Sequence, residues 1–138
     1  MKNEFSGKVS GVYRINGCVL CRCDNKGKFV NVFSCGEVMH SYYGKGECVA
    51  LSKELASSFL SNVRLLGAYA EPVCDCTVIR VFGVGLSGGG ILCRALKELG
   101  NASVFPLGVS ASECGLAFAL CTEQSERAFD VLSRFMDE

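Results

Sequence analysis

The chain carries no net charge and has no long apolar run, and these two absences exclude several classes of protein. Its 138 residues include fourteen basic and fourteen acidic side chains, which cancel. A neutral chain offers no long-range attraction to nucleic acid or to anionic lipid. No apolar stretch approaches the roughly 20 residues that span a bilayer. We therefore expect no nucleic-acid partner and no membrane partner.

The amino terminus, MKNEF, is polar where a secretory signal has its apolar region. We therefore expect a cytoplasmic protein, in which disulfides are disfavoured. This matters because the chain has ten cysteines. A zinc site needs thiolates that converge on one point, whereas strand alternation places Cys18 and Cys21 on opposite faces. Cys93 and Cys121 lie in apolar segments, where we expect buried thiols. The pattern favours reduced core cysteines without a metal ion.

The sequence contains a single histidine, His40, in the polar segment EVMHSYYGKG. No partnered nucleophile lies near it in the sequence, so we interpret it as a solvated loop histidine. Ser87 and Ser112 are interpreted first as residues that form a loop and a hairpin. No kinase-type glycine motif precedes Ser87 or Ser112 in the sequence. We therefore expect a protein that is not an enzyme and has no catalytic residues.

Glycines cluster in the segment VFGVGLSGGGIL (81–92), where Gly83, Gly85 and Gly88 form the G-x-G-x-x-G pattern of dinucleotide sites. Such a site also needs a parallel sheet and an acidic residue after the next strand, but that strand ends on apolar residues. A P-loop needs lysine and then serine or threonine after its last glycine, and neither follows Gly88. With both nucleotide sites excluded, the remaining feature of the segment is a set of unhindered backbone N–H groups at a helix N-terminus. Such groups suit a carboxylate.

The second half of the chain predicts the order β-α-β-β-α. A strand is predicted at 76–85, followed by a helix over ILCRALKELG that is closed by Gly100. Two strands at 102–109 and 113–122 are then predicted to form a hairpin that turns near residues 110–112. A last helix, capped by Thr122, follows them. The last helix would bury an apolar face that ends at Met136. This unit lacks a fourth strand.

The first half predicts strands at 8–15, 18–23, 28–35 and 47–51, a helix capped by Ser52 and a strand at 64–70. The spare strand 8–15 would complete the second unit, so the first unit would be inserted within it. This gives a first unit at 16–75 and a second unit at 7–15 plus 76–138. No linker rich in Pro, Gly or Ser separates the halves, and a chain with 49% hydrophobic residues can bury a shared core.

The segments VIRVFGVGLSGGGILCRALKELGNASVFPLGVSASECGLAFAL and ERAFDVLSRF resemble an ACT domain, in particular the second one of the aspartokinase regulatory region. That domain has a V-I-x-V-x-G-x-G-M-like strand and loop, a helix, a hydrophobic strand, an S-S-E-like hairpin and a final helix. KVSGVYRINGCVLCRC is similar to the segment that opens the same tandem region. The resemblance implies an α+β fold of ferredoxin-like βαββαβ ACT-type sheets with helices on one face, the first unit degenerate and inserted into the second.

The resemblance also implies a ligand site around the glycine loop of the second unit. Its candidate residues are Leu86, Ser87, Gly88, Gly89, Gly90, Ile91, Leu92, Ser103, Val104, Ser112 and Glu113. The chain departs from the family in two places. DNKGKFVNVFSC stands where the first unit has a G-F-L-like loop and a helix, and Phe105 stands where effector-binding copies have an acidic residue. Glu113 is then the nearest candidate to bind the ammonium group of the ligand.

Two functions follow from this resemblance. The first is a regulatory module that senses a small amino acid, with lysine or threonine implied first, and that acts through dimerisation, as in aspartokinase feedback control. Its partners would be a second copy and a kinase domain or kinase subunit, and no cofactor is implied. The alternative is a ligand-free assembly module of an aspartokinase-like protein. The altered first loop and Phe105 favour the alternative, whereas the glycine loop disfavours it. The apolar segment RLLGAYA (64–70), taken as an edge strand, motivates the dimer. A cysteine-based metal or redox protein is a third, distant hypothesis.

Overall fold

A computed structural model of the chain describes residues 7–24, 39–43, 46–65, 67, 69–86, 89–112 and 115–137. Within these ranges the backbone forms six strands and three α-helices. The strands are β1 (Lys8–Asp24), β2 (Met39–Tyr43), β3 (Gly46–Ser52), β4 (Tyr69–Val84), β5 (Gly108–Ala111) and β6 (Gly115–Leu120). The helices are α1 (Lys53–Leu65), α2 (Gly90–Asn101) and α3 (Ser125–Ser133), with 3-10 turns at Thr122–Gln124 and Arg134–Asp137. No described helix is long and apolar enough to cross a membrane.

All six described strands form one antiparallel sheet in the order β2-β3-β1-β4-β6-β5. The central strands β1 and β4 pair along most of their lengths, but their outer neighbours differ at the two ends. β3 pairs with residues 18–24 of β1, and β6 pairs with residues 77–82 of β4. Each half of the sheet therefore has four strands in an equivalent order. The division into residues 16–75 and residues 7–15 plus 76–138 stays a prediction.

The three helices cover the outer face of the sheet. α2 and α3 pack on the larger core cluster, which includes Ile79 of β4 and Phe118 of β6. α1 packs on a second cluster around Cys21 and Val49. Cys18 of β1 and Val78 of β4 belong instead to a third cluster, on the opposite, inner face of the sheet. The helices thus lie on one face of the sheet, as the sequence predicts.

The sheet curls so that its two edge strands meet, since β2 contacts β5 although the two lie at opposite ends of the strand order. The third cluster fills the inside of this curl. There, Met39 of β2 packs among small side chains such as Ala117 and Ala119 of β6, both buried. Small residues let the two edges approach closely, so the inner face excludes water without a second layer of helices.

Several predicted boundaries are wrong. The strands predicted at 8–15 and 18–23 form one strand, which changes register near Gly17 at a left-handed φ of 71°. The strand predicted at 102–109 is only Gly108–Ala111. Thr122 begins a 3-10 turn, and α3 starts at Ser125. The strand predicted at 28–35 lies outside the described residues.

The interpretation of residues 64–70 as an edge strand, on which the expectation of a dimer is based, is also wrong. α1 continues to Leu65, and Tyr69 and Ala70 then open β4. Because β4 lies between β1 and β6, this segment is in the centre of the sheet and is not an edge. Apolar residues occur in central strands as well as in edge strands, so composition alone did not distinguish the two.

Candidate functional site

The glycine turn, defined here as residues 83–90, connects β4 to α2 at one end of the sheet. Gly83 is packed against β1, and a Cβ added to it would lie 2.0 Å from the carbonyl oxygen of Lys8. Gly85 has a left-handed φ of 69°, which favours glycine. Leu86 follows with its side chain buried in the larger core cluster. Strand packing and turn conformation therefore explain the first two glycines of the G-x-G-x-x-G pattern.

The start of α2 is open to solvent. Gly89 is the N-cap residue, with a left-handed φ of 86°, and no side chain caps the helix. Its carbonyl oxygen accepts the first helical bond, from the N–H of Cys93 at 2.9 Å. A Cβ placed on Gly89 or on Gly90 would meet no atom within 4 Å, and the first turn of α2 has no acidic residue. The space around Gly89 and Gly90 is therefore open, and the first N–H groups of the helix have no helical acceptor.

Two of the candidate residues support this turn by packing on the core. Ile91 is buried in the larger core cluster, and the partly buried Leu92 packs against that cluster. The buried Ile91 can therefore offer a ligand only its backbone N–H group. Ser87 and Gly88 lie outside the described residues.

Gly7 and Lys8, which no sequence pattern singled out, lie across the glycine turn. A Cβ on Gly7 would be 2.8 Å from the carbonyl oxygen of Gly85, and Lys8 pairs with Val84 in the sheet. Lys8 is exposed and brings an ammonium group to this end of the sheet. Only strand pairing across more than 70 residues reveals this neighbour, so no local pattern indicated it.

The β5–β6 hairpin ends close to the same turn, because Gly115 pairs with Phe82 near the end of β4. Ser112 is exposed and closes the hairpin: its N–H and its Oγ both donate to the carbonyl oxygen of Gly115, at 2.8 and 3.2 Å. Ser112 thus has the hairpin-forming role that its sequence context predicts. Glu113 lies outside the described residues.

Ser103 and Val104 lie at the far end of α2. The helix has 12 residues and is about 18 Å long at the usual rise, so these two residues are remote from Gly90. Val104 is fully buried in the larger core cluster. Ser103 has a left-handed φ of 60°, and its carbonyl oxygen accepts from Nε2 of Gln124 at 3.3 Å. The structure therefore separates the candidate residues into two groups within this chain.

His40 is not a solvated loop residue, which corrects the sequence interpretation. It lies on β2, with its side chain 20% exposed and its Nε2 3.6 Å from Oε2 of the buried Glu47.

Cys23 pairs with Glu47 in the β1–β3 ladder. Burial raises the pKa of the Cys23 thiol to about 12, so this thiol is protonated at neutral pH and is a poor nucleophile.

The other described thiols differ in their burial. Cys18 and Cys21 belong to clusters on opposite faces of the sheet, as their alternation predicts. Burial raises the pKa of Cys76 to about 12. The prediction of buried thiols at Cys93 and Cys121 is wrong, because Cys93 is exposed on the outward side of α2 and Cys121 is only partly buried. Among the described residues, no three His, Cys, Asp or Glu side chains are grouped to hold a metal ion. Cys35 and Cys114 lie outside those residues.

No protein-family model matches the chain, and no curated protein sequence matches it significantly. Solved structures do match. The ligand-free regulatory subunit of aspartate kinase from Thermus thermophilus superposes with a TM-score of 0.74 over 91% of this chain and 96% of that one, at 16% identity. The corresponding subunit from Thermus flavus gives 0.71 over 93% and 98%, at 13% identity.

A complete kinase gives the same result over part of its length. Aspartate kinase from Clostridium acetobutylicum superposes with a TM-score of 0.73 over 94% of this chain but only 35% of the kinase, at 10% identity. The chain therefore has the fold of aspartate kinase regulatory regions. This confirms the ACT-type α+β fold that the sequence resemblance implied.

Proposed function

We propose that this chain is a regulatory module that binds a small amino acid at the glycine turn. One observation carries the proposal: the uncapped start of α2 faces open space in a fold shared with aspartate kinase regulatory subunits. Lysine and threonine are the first ligands to test, by resemblance to that family. The module itself has no catalytic role.

The turn suits the carboxylate of an amino acid. Helix N-termini bind anions through free N–H groups and through the positive end of the helix dipole. Gly90 leaves these groups accessible, and Lys8 adds a positive charge at the same end of the sheet. Ser87, Gly88 and Glu113 belong to the proposed site through the resemblance, with Glu113 proposed to bind the ammonium group. Because the described part of the turn offers few polar side chains, affinity is expected to be modest.

Regulation would work through a shift between two states of an assembly. A ligand changes such an equilibrium only by its difference in affinity for the two states. Since Ser103 and Val104 are remote from Gly90 in one chain, we propose that a second copy or a kinase subunit completes the site at an interface. A dimer, a kinase partner and a cytoplasmic location belong to this proposal.

A ligand-free assembly module is the second candidate. The position that is acidic in effector-binding copies holds Phe105, whose side chain is 67% exposed. A phenylalanine cannot form the ion pair that an acidic residue forms with an ammonium group, and an exposed ring is available to pack against another protein surface. In this case the glycine turn would only be a structural turn.

A calorimetric screen of the whole chain against the twenty common amino acids at millimolar concentration separates the two candidates. The sensor predicts heat and thermal stabilisation with one or a few of them. No response to any amino acid would reject the sensor and favour the assembly module. NAD and ATP belong in the same screen, since binding of either would restore the nucleotide hypothesis that the glycine pattern first raises.

A further inference from the structure

A second concave site lies between α2 and α3, on the outward side of α2. It is a cleft of about 340 Å³, lined by Arg94, Lys97, Glu98, Val131, Arg134 and Phe135. This volume lies at the lower end of the range for small-molecule sites. Its floor is the edge of the larger core cluster, and none of its lining residues belongs to the glycine turn.

The side chains that line this cleft carry an excess of positive charge. Three of its lining side chains are cationic and only Glu98 is anionic, although the whole chain has no net charge. A concave surface with an excess of one sign concentrates the field and attracts counter-charged molecules. The excess of two positive charges corresponds to the charge of a phosphate monoester dianion.

The geometry of the cleft is partly fixed in advance. The floor consists of Val131 and Phe135, both buried. The guanidinium of Arg94 lies over the Phe135 ring at 5.0 Å from its centroid, which limits the positions that this side chain adopts. A planar guanidinium binds two oxygens of a phosphate at once.

From these observations we propose that the cleft binds a small phosphorylated metabolite. Arg94, Lys97 and Arg134 bind the phosphate group, the apolar floor packs against the carbon skeleton, and the carboxylate of Glu98 accepts from a hydroxyl or ammonium group of the same ligand. This site goes beyond the proposed amino-acid sensor, and its existence does not depend on it.

Titration calorimetry of the whole chain at low ionic strength tests the proposal, with inorganic phosphate and glycerol 3-phosphate as probes and glycerol as the uncharged comparison. Both phosphates are expected to bind at millimolar concentration or below, and glycerol 3-phosphate more tightly, because its carbon skeleton and hydroxyls also reach the floor and Glu98. Glycerol is expected not to bind. Absence of heat with both phosphates at 10 mM, roughly the weakest binding of interest, overturns the proposal.

Three variants locate the binding. Lys97→Gln and Arg134→Gln are each expected to weaken phosphate binding roughly tenfold, since each removes a charge-assisted contact. Glu98→Gln is expected to strengthen the binding of inorganic phosphate, because it removes a like charge from the rim. Lys53→Gln, which removes one positive charge from α1 on the second core cluster, is the control. Equal weakening by Lys53→Gln and Lys97→Gln would mean general electrostatic attraction and would overturn the site. Gly90→Val, directed at the amino-acid site, is expected to leave phosphate binding unchanged.

Discussion

Gly83 lies against β1 so closely that a Cβ at this position would be 2.0 Å from the carbonyl oxygen of Lys8. Two residues further on, Gly85 has a left-handed φ of 69°. The first glycine is thus needed for the packing of two strands and the second for a change of chain direction. Packing and turn conformation thus account for the first two glycines of the G-x-G-x-x-G pattern, and the sheet around them is antiparallel, unlike the parallel sheet of a dinucleotide site.

Replacement of Gly83 by alanine is expected to lower the free energy of unfolding by about 2 kcal/mol or more, because β1 must move away from β4. Urea unfolding followed by circular dichroism measures this. Gly100→Ala is the control, since a Cβ there meets no atom within 4 Å, and it is expected to change stability by less than about 1 kcal/mol. Equal stability of both variants would contradict the close contact.

Gly90→Val is expected to abolish amino-acid binding and to leave the fold intact. Gly90 is exposed, has an ordinary φ and has free space around it, so a side chain there blocks the start of α2 without a clash. Gly89 is unsuitable for this test because its φ of 86° would strain any other residue. For a ligand found in the amino-acid screen, calorimetry compares Gly90→Val with Gly100→Val at the other end of the helix. Full binding by Gly90→Val would exclude the glycine turn as the site.

The stability of the protein is expected to fall as the pH rises above about 9. Burial raises the pKa of Cys76 and Cys23 to about 12 and that of Cys21 to about 11, from an ordinary value of 9.0. Because these pKa values are higher in the folded state, the stabilisation is complete below the unfolded pKa and is lost towards the folded pKa. Urea unfolding at intervals from pH 7 to pH 11 measures the slope. Cys76→Ala is expected to reduce the slope, whereas a change at the exposed Cys93 is expected to leave it intact.

The chain is expected to form a dimer at tens of micromolar, and light scattering gives its mass. Phe105 follows the buried Val104 and precedes Leu107, which is 38% exposed, so an apolar patch lies beside the start of β5. Phe105→Asp is expected to shift the mass towards the monomer, because a carboxylate in an apolar interface is costly. Leu65→Asp is the control, since Leu65 is 84% exposed at the end of α1. A monomer for the unaltered chain would refute self-association, and loss of the dimer only in Leu65→Asp would move the interface to α1.

The helices, the faces of the strands and the ACT-type fold could be predicted from the sequence because their signals are local. Ile91, Ala95 and Leu99 recur at helical spacing, and all three are buried on one side of α2. The alternation of Cys18 and Cys21 likewise predicted two faces, which the core clusters show. Such patterns involve residues only a few positions apart in the sequence. The regular geometry of a helix or a strand then fixes the face on which each side chain lies.

Counting strands assigned residues 8–15 to the second unit, but the individual contacts between distant segments could not be predicted in this way. No local signal indicated that Gly7 and Lys8 lie on the glycine turn, or that β2 curls round to meet β5. The candidate site was incomplete for the same reason: Ser103 lies near Gly90 in the sequence, but a rigid helix holds the two apart in space. Strand pairing and the closure of the sheet depend on shape and volume summed over the whole core, and those quantities exist only once the chain has folded.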